Sequence, residues 1–143
     1  MTEKYRRSPH AVYELKYHFV WVTKYRYCVL EGEIKTLLEK TINRICDDMG
    51  VIILEGEIGK EHLHLCVSAP PKHSPAEIMK RIKGVTSEKL FREFPKMKNT
   101  YWGKHFWARG YFVSSVGINE ETIRQYIKNQ RDDTPDNQMK LWK

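Results

Sequence analysis

Two histidines two residues apart, His62 and His64, sit in the stretch Lys60-Glu61-His62-Leu63-His64-Leu65-Cys66-Val67. Its alternation of apolar and polar residues predicts a β-strand, whose successive side chains point to opposite faces. Leu63, Leu65 and Val67 then face a core, and His62, His64 and Cys66 face the other way. Two imidazoles about 7 Å apart along one rigid strand can converge on one small cation or one phosphate. A packed or solvated pair is the plain alternative, but polar rings on an otherwise apolar strand need partners.

A second set lies near the C-terminus, in Thr122-Ile123-Arg124-Gln125-Tyr126-Ile127-Lys128-Asn129-Gln130. On a helix, Tyr126 and Gln130 stack one turn apart on one face, and Ile123 and Ile127 share another. That polar face is either a solvated or docking surface or, taken with the histidines, part of a reactive site. A tyrosine hydroxyl can attack a phosphodiester and form a covalent intermediate, although its ordinary pKa near ~10 makes it weak at neutral pH. A divalent cation on the phosphate offsets the charge that develops. Two neutral imidazoles and an amide oxygen suit Mn²⁺ well, whereas Mg²⁺ prefers more oxygen and is held weakly until substrate supplies it. Cys66 lies on the same face and would favour a softer ion; it reads as packing. His18 reads as structural, beside the same sheet.

The elements that must position these residues follow from the same patterns. Residues 11–25 are rich in aromatic and β-branched types and predict one long strand. Residues 31–49 carry Ile34, Leu37, Leu38, Ile42 and Ile45 at helical spacing, and Gly50 stops the helix. Residues 51–58 and 62–68 predict an antiparallel hairpin turning at 59–61. Ser74-Pro75-Ala76-Glu77 opens a helix with its cap, first-turn proline and capping glutamate in place. Gly84 is a possible break in it, and Pro95 closes it. Residues 96–110 read as a basic, aromatic loop, 111–117 as a strand, and 119–131 as a helix capped by Asn119. The order β-α-β-β-α-β plus a C-terminal helix is the ferredoxin-like (RRM-like) α+β plan, a four-stranded antiparallel sheet. One domain over residues 1–143 is expected, with a core at about 11–131 and a polar tail at 132–143; no repeat, low-complexity segment or linker is visible.

Composition narrows the partners. The chain carries a net charge of +7. Residues 72–109 hold ten Lys/Arg against three Glu, and residues 1–26 hold six against two. Such concentration predicts a polyanion-binding face. Aromatics lie within or beside both segments (Tyr17, Trp21, Tyr25, Phe91, Phe106 and Trp107 among them). Rings interleaved with cations are how single-stranded nucleic acid is held, although a small domain needs many of its rings in the core. Lys24, Arg26, Lys80, Arg81, Lys83, Lys104 and Arg109 are the candidate phosphate contacts. Three widely spaced cysteines (Cys28, Cys46, Cys66) fit reduced thiols. No run approaches the roughly 18–20 apolar residues of a membrane span, and no apolar run of signal-peptide type follows the N-terminus. A cytoplasmic protein is the expectation.

These residues carry a family resemblance. His62-Leu63-His64 on a strand, then Pro70-Pro71 and a basic helix, then Trp107-Ala108-Arg109-Gly110-Tyr111-Phe112-Val113-Ser114-Ser115-Val116-Gly117 and Ile123-Arg124-Gln125-Tyr126-Ile127 with Gln130, resembles the small single-tyrosine HUH transposases of bacterial and archaeal insertion sequences. The opening Tyr17-His18-Phe19-Val20-Trp21-Val22-Thr23-Lys24-Tyr25-Arg26 is similar too, so the resemblance covers roughly residues 11–131. His-hydrophobic-His alone is a weak motif; the ordered set is specific.

The resemblance implies an enzyme that cuts and rejoins single-stranded DNA at transposon ends. It implies recognition of subterminal hairpins and a 5′-phosphotyrosine link that leaves a free 3′-hydroxyl. By position, Tyr126 is the implied nucleophile and His62, His64 and Gln130 the implied ligands of Mg²⁺, with Mn²⁺ able to substitute. It further implies an obligate homodimer with active sites at the interface, in which Tyr126 serves its own or its partner's histidines; Gly117 and Asn119 sit where a joint to the tyrosine helix would be useful. Relatives often have Asp before the first His, where this chain has Glu61; strand alternation points Glu61 away from the ligands, with little effect on metal expected. A domesticated relative acting on chromosomal repeats would look the same. Two other functions fit the residues: a non-catalytic single-stranded nucleic-acid-binding module on the same sheet, and a hydrolase using His62 and His64 as acid and base.

Overall fold

The computed structural model describes residues 5–99, 105–115 and 119–129. Its centre is a four-stranded antiparallel sheet of β3 (Lys16–Val22), β4 (Ile52–Ile58), β5 (His62–Ser68) and β6 (Phe112–Ser114), in spatial order β4-β5-β3-β6. That order is the ferredoxin-like plan read from the sequence. Helices α1 (Gly32–Met49) and α2 (Pro75–Glu93) pack on one face, and α3 (Glu120–Asn129) contacts β3.

Alternation assigns the faces as expected. Phe19 and Trp21 of β3 and Leu63, Leu65 and Val67 of β5 are buried against Leu38, Ile42, Ile45, Ile78, Met79 and Ile82 of the two helices. Gly50 takes the left-handed conformation (φ +72°) that ends α1, where glycine carries no Cβ penalty. The Ser74 hydroxyl accepts the Glu77 amide at 3.0 Å, with Pro75 in the first turn of α2. Asn119 Oδ1 accepts the Thr122 amide at 2.8 Å and caps α3.

Several expectations are corrected. The long strand predicted over residues 11–25 divides. β2 (Ala11–Tyr13) pairs with β1 (Arg6–Ser8) in a separate hairpin, and the sheet strand begins only at Lys16. Arg6 holds that hairpin against the sheet, donating to the Ser68 and Gly50 carbonyls at 2.9 and 3.0 Å. Residues 24–26 form a 3₁₀ turn, not strand. α2 runs unbroken through Gly84, which costs about 1 kcal/mol against alanine but leaves the helical path intact. β6 is only three residues long.

The segment read as a basic, aromatic loop contributes core. Phe106 and Trp107 are buried, Trp107 bridges to Thr23, and its indole N–H donates to Thr86 Oγ1 at 2.9 Å. Trp21, Phe91, Phe106 and Trp107 form edge-to-face pairs with centroids 4.7–5.8 Å apart, so these rings pack the interior and do not present faces to bases. Tyr101, Trp102, Gly117 and the tail from 130 onward, including Gln130, lie outside the described residues, as does Lys104.

Candidate active site

β5 is a central strand, and its non-core face carries the histidine pair. In the register, His64 lies opposite Val20 of β3 on one side and Glu57 of β4 on the other; Cys66 lies opposite His18 and Glu55. Residues directly opposite on antiparallel strands share a face. His18, His62, His64, Cys66, Glu55 and Glu57 therefore share one surface. The sequence patterns singled out His62 and His64 but not the two glutamates, although the predicted 51–68 hairpin implied their proximity.

His62 stands at the start of β5, where its ring packs on Gly59. A Cβ at position 59 would lie 2.4 Å from His62 Cε1, so only glycine leaves room for the ring. His62 Nδ1 is 3.1 Å from Glu61 Oε1. This corrects the expectation that Glu61 points away: Glu61 precedes the first residue of β5 and does not follow the strand's alternation. Its backbone carbonyl is fixed by the Thr23 amide at 3.0 Å. The hydrogen bond from His62 holds the Glu61 carboxyl below the usual carboxylate range, against partial burial. An ionised carboxylate only accepts, so Nδ1 carries the proton. In the neutral ring, Nε2 keeps the lone pair that a cation needs.

His64 is set differently. Its Nε2 is 3.3 Å from His18 Nδ1, and the two rings stack with centroids 5.5 Å apart. His18 Nε2 is in turn 3.6 Å from Cys66 Sγ. Burial, and then His18, push His64 below the ordinary histidine range, with Glu55 and Glu57 pulling back upward. His64 is thus neutral at neutral pH, the form that ligates metals. Burial raises the Cys66 thiol, keeping it protonated. Among the described residues, no three His, Cys, Asp or Glu side chains are grouped to hold an ion by themselves. The donor chemistry fits a divalent cation held by two neutral imidazoles and completed by oxygens from elsewhere.

Tyr126 stands on the half-buried side of α3 together with Ile123 and Ile127, not on a polar face separate from them as the spacing suggested. Its ring rests on Phe112, with centroids 6.0 Å apart. Phe112 lies opposite Val20, and Val20 opposite His64. Phe112 therefore stands on the same face as the histidines, two strands away, about 10 Å by strand spacing, and Tyr126 packs on it. Arg26 reaches α3 from below, its Nη1 donating to the Ile127 carbonyl at 3.5 Å.

The candidate phosphate contacts have varied surroundings. Lys80 and Arg81 are exposed on α2. Lys24 is only 7% exposed, its ammonium 5.4 Å from the Tyr25 ring centre. Lys83 Nζ donates to the Ala108 and Gly110 carbonyls at 2.8 and 2.9 Å, tying α2 to the following segment. Lys83, Arg92, His105 and Arg109 line a groove of about 710 Å³ on the helical side, floored by Phe106 and Trp107.

Comparison with known proteins agrees with this architecture. Residues 11–130 match the family described as transposase IS200-like. The chain is 36% identical over 121 residues to the transposase of insertion sequence element IS200 from Salmonella typhimurium, covering 85% of this chain and 80% of that protein. It is 33% identical over 122 residues to the ISDra2 transposase TnpA of Deinococcus radiodurans, covering 85% of this chain and 87% of that one. A crystal structure of a transposase-type protein from Deinococcus radiodurans superposes with a TM-score of 0.78 at 32% identity, covering 88% of this chain and 98% of that one. A REP-associated tyrosine transposase bound to a REP hairpin shares the fold at 16% identity, with a TM-score of 0.53, over 85% of this chain and 68% of that one.

Proposed function

The chain belongs to the IS200-like transposase family, and from that premise we propose that it cuts and rejoins single-stranded DNA through a covalent link to Tyr126. The observation that carries the reading is the shared face: the helix bearing Tyr126 docks on the side of the sheet where His62 and His64 stand. Tyr126 Oη attacks the scissile phosphorus; the Oη–P bond forms, the P–O3′ bond breaks, the phenolic proton leaves and the 3′ oxygen takes one up. The products are a 5′-phosphotyrosine and a free 3′-hydroxyl, and attack by a 3′-hydroxyl in the reverse sense rejoins the strand. His62 and His64 would hold a divalent cation, Mg²⁺ or Mn²⁺, with Gln130 as the third donor that the family pattern implies. When bound, the cation polarises the phosphate and offsets developing charge. Glu61 orients His62, and burial and then His18 keep His64 neutral.

For the substrate we infer single-stranded DNA with hairpins. Support comes from the basic groove beside α2 and the exposed Lys80 and Arg81. The groove opens on the helical layer, so a duplex stem can be gripped there while the strand to be cut reaches the opposite face. For assembly we infer a homodimer. β4 is an edge strand whose Ile52 and Leu54 are 47% and 48% exposed, and an apolar edge is a template for a second chain. Among the described residues no helix is long and apolar enough to cross a membrane.

The test is denaturing electrophoresis with labelled single-stranded DNA cloned from the flanks of the gene, with Mg²⁺, Mn²⁺ or chelator. A metal-dependent protein–DNA band that survives denaturation and is lost in Tyr126→Phe, with hairpin binding intact, is expected. Retention of the band in Tyr126→Phe would refute the assignment.

A further inference from the structure

We propose that Glu61 is a positioning residue: with Gly59 it fixes the tautomer and the ring angle of His62, and so presents Nε2 for a divalent cation. The inference rests on the metal-site reading above.

Three observations carry it. The carboxylate sits 3.1 Å from Nδ1; an ionised carboxylate only accepts, so that nitrogen carries a proton and, in the neutral ring, the lone pair is on the other. Among the described residues, Nε2 makes no hydrogen bond that would compete for that lone pair. Gly59 lets the ring lie flat where any Cβ would collide with it at 2.4–3.2 Å, and the Gly59 amide bonds the His62 carbonyl at 2.9 Å, closing the turn around the ring. The backbone of Glu61 is itself anchored, since the Thr23 amide donates to the Glu61 carbonyl at 3.0 Å. Ligating histidines commonly carry such a partner on the second ring nitrogen. It selects the tautomer, restricts ring rotation and raises ligand basicity, and its removal typically weakens metal binding by about 10–100-fold.

His64 lacks this support. Its Nε2 faces another imidazole instead of a carboxylate. The two histidines of the motif are thus unequal, and His62 is the pre-set one.

The experiment has two readouts. Long-range ¹H–¹⁵N NMR of the metal-free protein reports the His62 tautomer, and Mn²⁺ titration followed by electron paramagnetic resonance reports affinity. In wild type the Nδ1–H tautomer is expected, and in Glu61→Gln too, because the amide oxygen still accepts. Glu61→Ala is expected to give mixed tautomers and about 10–100-fold weaker Mn²⁺ binding, with Glu61→Gln between the two. Gly59→Ala is expected to weaken Mn²⁺ binding by displacing the ring. Circular dichroism melting identifies any variant that fails to fold, and Glu61→Gln then decides through its affinity. Unchanged tautomer and affinity in Glu61→Ala would overturn the role given to Glu61 while leaving the metal reading intact, provided His62→Ala and His64→Ala lose Mn²⁺. If both histidine variants bind Mn²⁺ as wild type does, the metal reading falls and takes the proposal with it.

Discussion

Phe112→Ala should loosen the helix that carries Tyr126 without disturbing the histidine strand. Over the described residues α3 is ten residues long, and none of them is fully buried. Isolated helices shorter than roughly 12–15 residues are marginal in water, so α3 persists by docking, chiefly through Ile123, Tyr126 and Ile127. The Phe112–Tyr126 pair contributes about 0.5–1.5 kcal/mol beyond area burial. Truncating a half-buried phenyl ring forfeits roughly 1 kcal/mol more of apolar contact. A total near 2 kcal/mol raises the undocked population about 30-fold, since each 1.4 kcal/mol is a factor of ten. Native-state hydrogen exchange reads this directly: amides of residues 123–129 should exchange about 30-fold faster. The control is Val113→Ala, one residue along the same strand but on the helical face, opposite Phe19. It should leave α3 exchange unchanged. A change under about threefold in Phe112→Ala, or equal changes in both variants, would refute docking through this ring pair.

Other consequences follow from the same contacts. His64 is held below the ordinary histidine value by burial and by His18; between the folded value and ~6.5 the unfolded chain binds the extra proton, so this contribution to stability is present above ~6.5 and lost as pH falls. Urea denaturation at several pH values should show a shallower acid loss in His64→Gln. Lys83→Met removes two bonds to carbonyls and should cost about 1–2 kcal/mol, whereas Arg81→Gln should stay within ~0.5 kcal/mol yet lower the salt slope of DNA binding by about 1; urea denaturation and filter binding separate the two. Burial raises the Cys46 thiol to about 11, leaving roughly one thiolate in a thousand at pH 8. Iodoacetamide followed by mass spectrometry should label exposed Cys28 in the native protein and spare Cys46 until denaturant is added.

Much of this was legible in the sequence because local patterns encode it. Caps at Ser74 and Asn119, the stop at Gly50 and the inward set Leu63, Leu65 and Val67 all obey rules that act within a few residues. What was not legible depends on register between distant segments. Residues 11–25 have strand composition throughout, but composition does not say that Ala11–Tyr13 pairs with Arg6–Ser8 instead of the main sheet. Phe106 and Trp107 carry no period, so their burial between Thr23, Trp21 and Thr86 was hidden until the chain folded. Lys24 reads as a surface cation from its type alone, yet it sits at 7% exposure in a turn. The His18–His64 contact spans 46 positions, and no local pattern announces it.

The turn after β3 shows how these distant pieces meet at one residue. Tyr25 and Arg26 both adopt left-handed backbone, each with φ near +58°, which costs an L-residue about 1–2 kcal/mol. Such strain persists only where surrounding bonds over-determine it. Here Thr23 Oγ1 donates to the Tyr27 carbonyl at 2.7 Å, the Lys24 amide bonds the Phe106 carbonyl at 3.0 Å, and the Thr23 amide bonds Glu61. The strained turn delivers the Arg26 guanidinium to the last turn of α3, where a cation complements the helix dipole, and close enough to Glu61 to help hold that carboxylate ionised. One cation thereby stabilises both the helix bearing Tyr126 and the carboxylate that orients His62. A backbone relaxed at this turn would keep the sheet and lose that connection, which gives the strain a physical reason at this site.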